Sequence, residues 1–191
     1  MKYLIILAVA LGLILSGTSS YALSPTPLSA GDPIYMKFPN IDGDVTAQGH
    51  EKWIELNSFQ WGVGRSISSP TGGSAGREAS APSVGEIIVT KSMDKSSAKL
   101  LQEALVGNPA GPVVIDLVKN GFNGSPFVYG KYTLENVLVS GYSVSSGGDN
   151  PSESISLNFA KITFSFFDQT PTGGIGSPIE ACYDIVTRAA C

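Results

Sequence analysis

The stretch GHEKWIELNSFQWGVG, residues 49–64, holds the only histidine of the chain and both of its tryptophans. His50 beside Glu51 is a pair that could move protons, and a lone imidazole can also ligate a metal. General acid-base work needs a reacting group within hydrogen-bond reach, and no HExxH, GxSxG or Cys-His pattern accompanies His50. The residue is therefore expected at a turn or strand edge, satisfied by a backbone carbonyl or a carboxylate. Trp53 and Trp61 could stack a ligand, but large aromatics on strands are ordinarily core. GVGRS and GGSAGR have the glycines of phosphate loops without the Lys-Ser ending or the full dinucleotide spacing. No catalytic residue, metal set or cofactor site is expected.

Cys182 and Cys191 are the only cysteines and stand nine positions apart. Residues 170–191 read as a Gly/Pro linker and a short helical tail, with Cys182, Ile185, Val186 and Ala189 on one stripe. Nine residues of helix rise roughly 13 Å, whereas a disulfide needs Cα atoms within roughly 7 Å. An internal bridge, the favoured pairing, thus requires the helix to break before Cys191, and a bridge between subunits is the alternative. At the other end, YLIILAVALGLIL followed by SGTSSYA is the pattern of a secretory leader, residues 1–22, with cleavage expected after Ala22. The apolar run falls short of the roughly 20 residues of a membrane span. The mature form is expected to be secreted or periplasmic, off the membrane, in an oxidising setting that suits paired cysteines.

The chain has 12 Lys and Arg against 16 Asp and Glu, a balance that argues against nucleic acid as a partner. Charged residues are only 15% of it, with 22 glycines, which points to β structure rich in turns or to large contacts between subunits.

Residues 23–33 read as an extended lead-in and residues 34–169 as one domain. IYMKF is a strand closed by the turn PNIDGD. In WIELNSFQWGV the apolar phase shifts from Ile54 and Leu56 to Phe59, Trp61 and Val63, which predicts a kink or bulge near Asn57 and Ser58 and two short strands in one line. With Phe59 and Trp61 inward, Gln60 points outward. Residues 64–83 carry almost no large apolar side chain and read as a long loop. In DKSSAKLLQEALVGNP, Leu100, Leu101, Ala104 and Leu105 share a helical face, with Asp94, Ser96 or Ser97 able to cap its start, Asp94 favoured, and Lys91, Asp94 and Lys95 a solvated or interface charge set. Three further strand regions follow, the last with a phase change near Ala160. The prediction is a mainly β chain, a curled β-sandwich or barrel of about seven strands with one flanking α-helix.

These pieces are NIDGD with GH after it, WIELNSFQWGVG, the Gly-rich loop with GR, VTKSMDKSSAKLLQEAL, YTLENVLVSGYSVSSGGD and PSESISLNFAKITFSF. Their order and spacing, from Ile34 to about Gln169, resemble the hemolysin-coregulated protein (Hcp) family, the tube component of type VI secretion systems. The resemblance implies assembly in place of chemistry. The chain would form a homohexameric ring with a central channel, the rings would stack into a tube, and the partners would be effector proteins or other secretion-system components. It also implies that Gln60 faces the channel. The loop bearing Arg65, Ser66, Gly72, Gly73, Gly76 and Arg77 would be the segment that reaches toward the next ring. The leader is a departure from the family pattern and adds an export step. An exported monomeric β-barrel binding module that has lost the ring is the alternative, and a hydrolase built on His50 has no positive support in the sequence.

Overall fold

A computed structural model describes residues 31–68, 77–121, 124–170 and 172–191. The leader expected at 1–22, most of the lead-in, and Gly72, Gly73 and Gly76 lie outside the described residues. In chain order the strands are β1 (Ile34–Lys37), β2 (Ile54–Leu56), β3 (Ser58–Gln60), β4 (Val63–Gly64), β5 (Ser83–Val84) and β6 (Ile87–Ser92), followed by the helix α1 (Ser97–Val106). Then come β7 (Val113–Asn120), β8 (Pro126–Glu135), β9 (Leu138–Ser145), β10 (Ser152–Asn158), β11 (Lys161–Phe166), β12 (Ile179–Asp184) and β13 (Ala189–Ala190). They form a seven-stranded sheet ordered β13-β12-β11-β8-β7-β1-β2, a four-stranded sheet ordered β3-β6-β10-β9, and the two-stranded ribbon β4-β5. The mainly β class with one helix is as the sequence predicts.

The two large sheets are joined by strands that leave one and enter the other, as in orthogonally packed β layers. The chain crosses at Asn57, whose N–H donates to the Thr90 carbonyl, at Asn136, and at Phe159 with Ala160. The phase shifts at Asn57 and Ala160 are therefore corners where a strand changes sheet. Asn136 has φ 53°, a left-handed conformation that asparagine tolerates better than most side chains. Between the sheets lies the core, with Met36, Ile54, Ile87, Ile115, Leu134, Ile155 and Leu157 fully buried. Gly43 of NIDGD lies so close to the next strand that a Cβ would run into the carbonyl of Trp53.

The helix lies against β9 and closes that side of the core with Leu100 and, in part, Ala104. Leu101 and Leu105 do not share this face and are 41% and 72% exposed. The cap position falls on one of the three candidates, Ser96, and not on the favoured Asp94. Ser96 is the N-cap residue and makes no side-chain cap bond, while Asp94 accepts from the Ser96 N–H at 2.8 Å and orders the turn that leads into the helix.

Lys91 corrects the surface reading of its charge set, because it has no exposed area. Ile87, Val89 and Lys91 occupy alternate positions of β6, so the strand period turns all three inward. The ammonium then finds three oxygens: Glu153 Oε2 at 2.7 Å, Asp94 Oδ1 at 2.8 Å and Ser97 Oγ at 3.1 Å. Tyr142 Oη donates to the other Glu153 oxygen at 2.7 Å. Burial, together with that bond and the Glu153 charge, pushes the Tyr142 hydroxyl from 10.0 up to about 12. Burial alone would raise the Asp94 carboxyl, but the bonds from Lys91 and Ser96 and the Lys91 charge hold it below its ordinary value.

The carboxyl-terminal tail is a β-hairpin and not the expected helix. Its alternating residues pair with β11 over the full length of β12, from Phe166 opposite Ile179 to Lys161 opposite Asp184. An open sheet edge satisfies every second backbone group of a strand at once, which outweighs the weak helical stripe. Asp184 Oδ1 accepts from the N–H groups of Val186 and Thr187 at 2.8 Å, and Arg188 turns with φ 56° into β13. Cys182 and Cys191 are bonded to each other within the chain, with Cα atoms 5.3 Å apart.

Removing one member of a buried ion pair strands the other charge, so Lys91→Met should cost about 3–5 kcal/mol of unfolding free energy in a urea titration. The double variant with Glu153→Leu should lose less than the sum of the two single variants. For Tyr142 the folded-state value lies above the unfolded one, so its contribution is complete below pH 10 and is lost as pH rises toward about 12. Urea titrations across that interval should show this alkaline loss in the parent and a smaller one in Tyr142→Phe.

Candidate functional site

His50 sits in a tight loop that covers the outer face of the seven-stranded sheet. The loop is drawn back on itself by Gly43 N–H to the Lys52 carbonyl at 2.8 Å and by Lys52 N–H to the Val45 carbonyl at 2.7 Å. Nε2 of His50 lies 3.0 Å from Oδ2 of Asp116, and both residues are buried. An ionised carboxylate only accepts, so this bond selects the tautomer with its proton on Nε2. The imidazole is held between Tyr35 and Trp53, each with its ring centroid 4.7 Å away. Lys131 Nζ stands 3.8 Å from the other Asp116 oxygen, which makes no hydrogen bond of its own. This is the satisfied histidine that the sequence predicts, and it clamps the loop to β7. Among the described residues, no group of three or more His, Cys, Asp or Glu is placed to hold a metal ion.

Gln60 stands exposed at the end of β3, while Phe59 and Trp61 turn inward onto Tyr132, with centroids 4.7 and 6.1 Å from it. Phe59, Tyr132 and Phe164 continue as a stack across both sheets. Gln60 therefore belongs to the outer face of the four-stranded sheet. Register carries that face across the strands: Gln60 lies opposite Ile88, then Ser156, then Gly141, and Ser58 lies opposite Thr90, then Ser154, then Ser143. A further row is Ser92, Ser152 and Ser145. No outward-pointing side chain of these four strands carries a charge. Several hydroxyls bond one another or the backbone, as Ser58 and Thr90 do at 2.7 Å and Ser140 to the Ser156 carbonyl at 3.3 Å. The sequence carries the signal for this face in the alternate serines of SESISLN and SGYSVS.

The predicted loop at 64–83 is ordered over its described length as a projecting arm. Beyond β4-β5, Ile67 bridges Ala79, Ser68 N–H donates to the Glu78 carbonyl at 2.9 Å, and Ser80 N–H donates to the Ser66 carbonyl at 2.8 Å. Arg65 Nε adds a bond to the Ser80 carbonyl at 2.9 Å, and Arg77 stands exposed. A ribbon of small polar residues needs no core, because its pairing is satisfied between its own two strands. Arg65, Ser66, Arg77 and Gln60 are thus close along the chain but belong to two surfaces, the arm and the sheet face. Cys182 and Cys191 sit at the far edge of the larger sheet.

Residues 35–166 match the family model for the type VI secretion system effector Hcp. No curated protein matches the chain. Among solved structures it is similar to a type six secretion system protein, with 27% identity, a TM-score of 0.75, and 84% of this chain and 99% of the other covered. Hcp1 from Salmonella typhimurium shares the fold at 23% identity and a TM-score of 0.66, over 83% of this chain and 98% of its own. A type VI secretion system effector from Yersinia pestis does so at 22% identity and 0.62, over 79% and 98%.

The contact between His50 and Asp116 is structural, so His50→Ala should lower stability by about 1–3 kcal/mol through the unpaired carboxylate. Thermal unfolding checks this, and a change of Trp53 fluorescence is expected with it because the two rings touch.

Proposed function

The chain belongs to the Hcp family of type VI secretion proteins, and from that premise we propose that it is an exported structural subunit that forms hexameric rings, stacks them, and holds effector proteins in the channel. The observation that carries this reading is the uncharged, hydroxyl-rich face of β3, β6, β10 and β9, with Gln60 on it. A wall of short neutral side chains offers hydrogen bonds to many polypeptides and a deep electrostatic trap to none. Such a lining suits transient cargo better than a specific ligand.

Ring closure needs two unlike surfaces that fit each other, since cyclic rings are built from head-to-tail contacts. The outer stripe of α1 supplies one. Leu105 and Val106 are 72% and 70% exposed, an apolar area that association would remove from water. The arm, described at residues 65–68 and 77–80, supplies the element that reaches toward the next ring. The disulfide of the terminal hairpin supports passage through an oxidising compartment, in keeping with the leader.

Light scattering on residues 23–191 should give a mass near six subunits, and Leu105→Asp should shift it toward one without loss of the far-ultraviolet β signal. A parent chain that stays monomeric at high concentration would instead favour the exported binding module. No helix among the described residues is long and apolar enough to cross a membrane.

A further inference from the structure

We infer that the apolar cleft bounded by Trp61, β11 and the carboxyl-terminal hairpin binds a single-chain amphipathic carboxylate of the fatty-acid class, with its chain on the aromatic side chains and its carboxylate on Arg188. This goes beyond the assembly reading and does not depend on it.

The cleft follows from the register of the larger sheet. Ile162 lies opposite Leu134 and Tyr183, and Phe164 lies opposite Tyr132 and Ala181, so these six side chains share the face that packs the core. Cover thins along that face toward β12. Leu134 and Ile162 are buried, Tyr132, Phe164 and Tyr183 are half-buried, and Ala181 is exposed. What stays open is an aromatic slot of about 210 Å³ that Trp61 also lines. Tyr183 is shared with a second hollow of about 400 Å³, whose other walls include Pro82 and Val84 at the base of the arm and Ile185 and Arg188 of the hairpin. Arg188 is the one charged side chain that lines either hollow.

The walls are fixed before anything binds. The Trp61 indole N–H donates to the Gly85 carbonyl at 3.1 Å, and Val84 is held opposite Val63 in the ribbon. The hairpin is pinned by Ile185 N–H to the Ala160 carbonyl at 2.8 Å and closed by the disulfide. A preformed cleft loses little freedom on binding.

The chemistry of the walls selects the ligand. Aromatic rings and branched aliphatic side chains offer an alkyl chain a dry surface, and moving the chain there from water is favoured by the apolar area removed. The Arg188 guanidinium is exposed and has no side-chain partner among the described residues. Its planar fork matches the two oxygens of a carboxylate. A neutral alkyl compound lacks the second interaction, and a small anion lacks the first. The two hollows together fall in the range of roughly 300–1,000 Å³ that sites for one small molecule occupy. One acyl chain with its head group suits that space.

The test is a titration of residues 23–191 with decanoate, kept below the concentration at which it forms micelles and read by calorimetry and by displacement of anilinonaphthalenesulfonate fluorescence. Saturable binding of one decanoate per chain is expected. Arg188→Gln should weaken decanoate at least fivefold and leave decanol within twofold of the parent. Ala181→Phe, which sets a ring into the slot from an exposed position, should weaken both ligands at least tenfold with the thermal midpoint of unfolding unchanged. Absence of saturable decanoate binding, a decanoate affinity unchanged in Arg188→Gln, an equal loss of decanoate and decanol in that variant, or binding that survives Ala181→Phe would each overturn the site. Binding to phosphatidylglycerol vesicles without binding of free decanoate would overturn it as well. Light scattering on the same samples reports on the ring separately, so a monomer that binds decanoate would remove the ring and leave the site standing.

Discussion

Lys91 and Glu153 face each other across β6 and β10 with no exposed surface, and much of the remaining architecture is arranged so that this pair can exist. Two charges taken out of water are tolerated only when each finds enough hydrogen-bond partners. The lysine needs three acceptors, and the third comes from Ser97 in the first turn of α1. The glutamate needs a donor on its second oxygen, and Tyr142 of β9 provides it. One charge cluster therefore sets the register of β10 between its neighbours and fixes where the helix begins. A slip of one residue in β6 would turn Lys91 outward and bring an uncharged neighbour into the core, so the cluster discriminates between registers as well as binding the elements together.

With the inner face so specified, the outer face of the same four strands is free to be plain. Its serines and threonine come from the alternate positions of β6, β9 and β10, the same strands whose inward positions hold Lys91, Tyr142 and Glu153. The corners at Asn57, Asn136 and Ala160 extend this division of labour. Each passes the chain between the sheets, so a buried core is closed on several sides while the four-stranded face stays open. Closure by strands that change sheet also explains why a single helix suffices among the described residues.

How much of this was legible in the sequence depends on how far away the partner lies. Gln60 could be placed because two aromatics flank it and the strand period does the rest. The turn at Gly43 and the bonded state of His50 were readable for similar reasons, although Asp116 as the particular carboxylate was not, since it lies 66 residues away. Lys91 was misread because charge outweighed period, and the residue that reverses the judgement is 62 positions on. The tail was misread because its fate depends on an open edge at β11, and local spacing cannot show an edge. The arm reads as a structureless loop because its order comes from cross-strand bonds between residues with no hydrophobic pattern.

The same reasoning bears on why the tail is closed by a disulfide. β13 pairs with β12 through only two residues, Ala189 and Ala190, and lies at the margin of the sheet with little apolar surface to bury. A strand that short does not hold an edge by itself. A covalent closure limits the open conformations of the hairpin without requiring a larger core. The hairpin then occupies an edge that would otherwise offer unpaired backbone to any passing strand, a hazard for a chain proposed to assemble with copies of itself. Such a bond forms in an oxidising compartment, so under the proposed export the step that finishes this edge would also distinguish an exported chain from one still in the cytoplasm. In a protein whose proposed work is repeated contact with its own kind, controlling which edges are open matters as much as building the core.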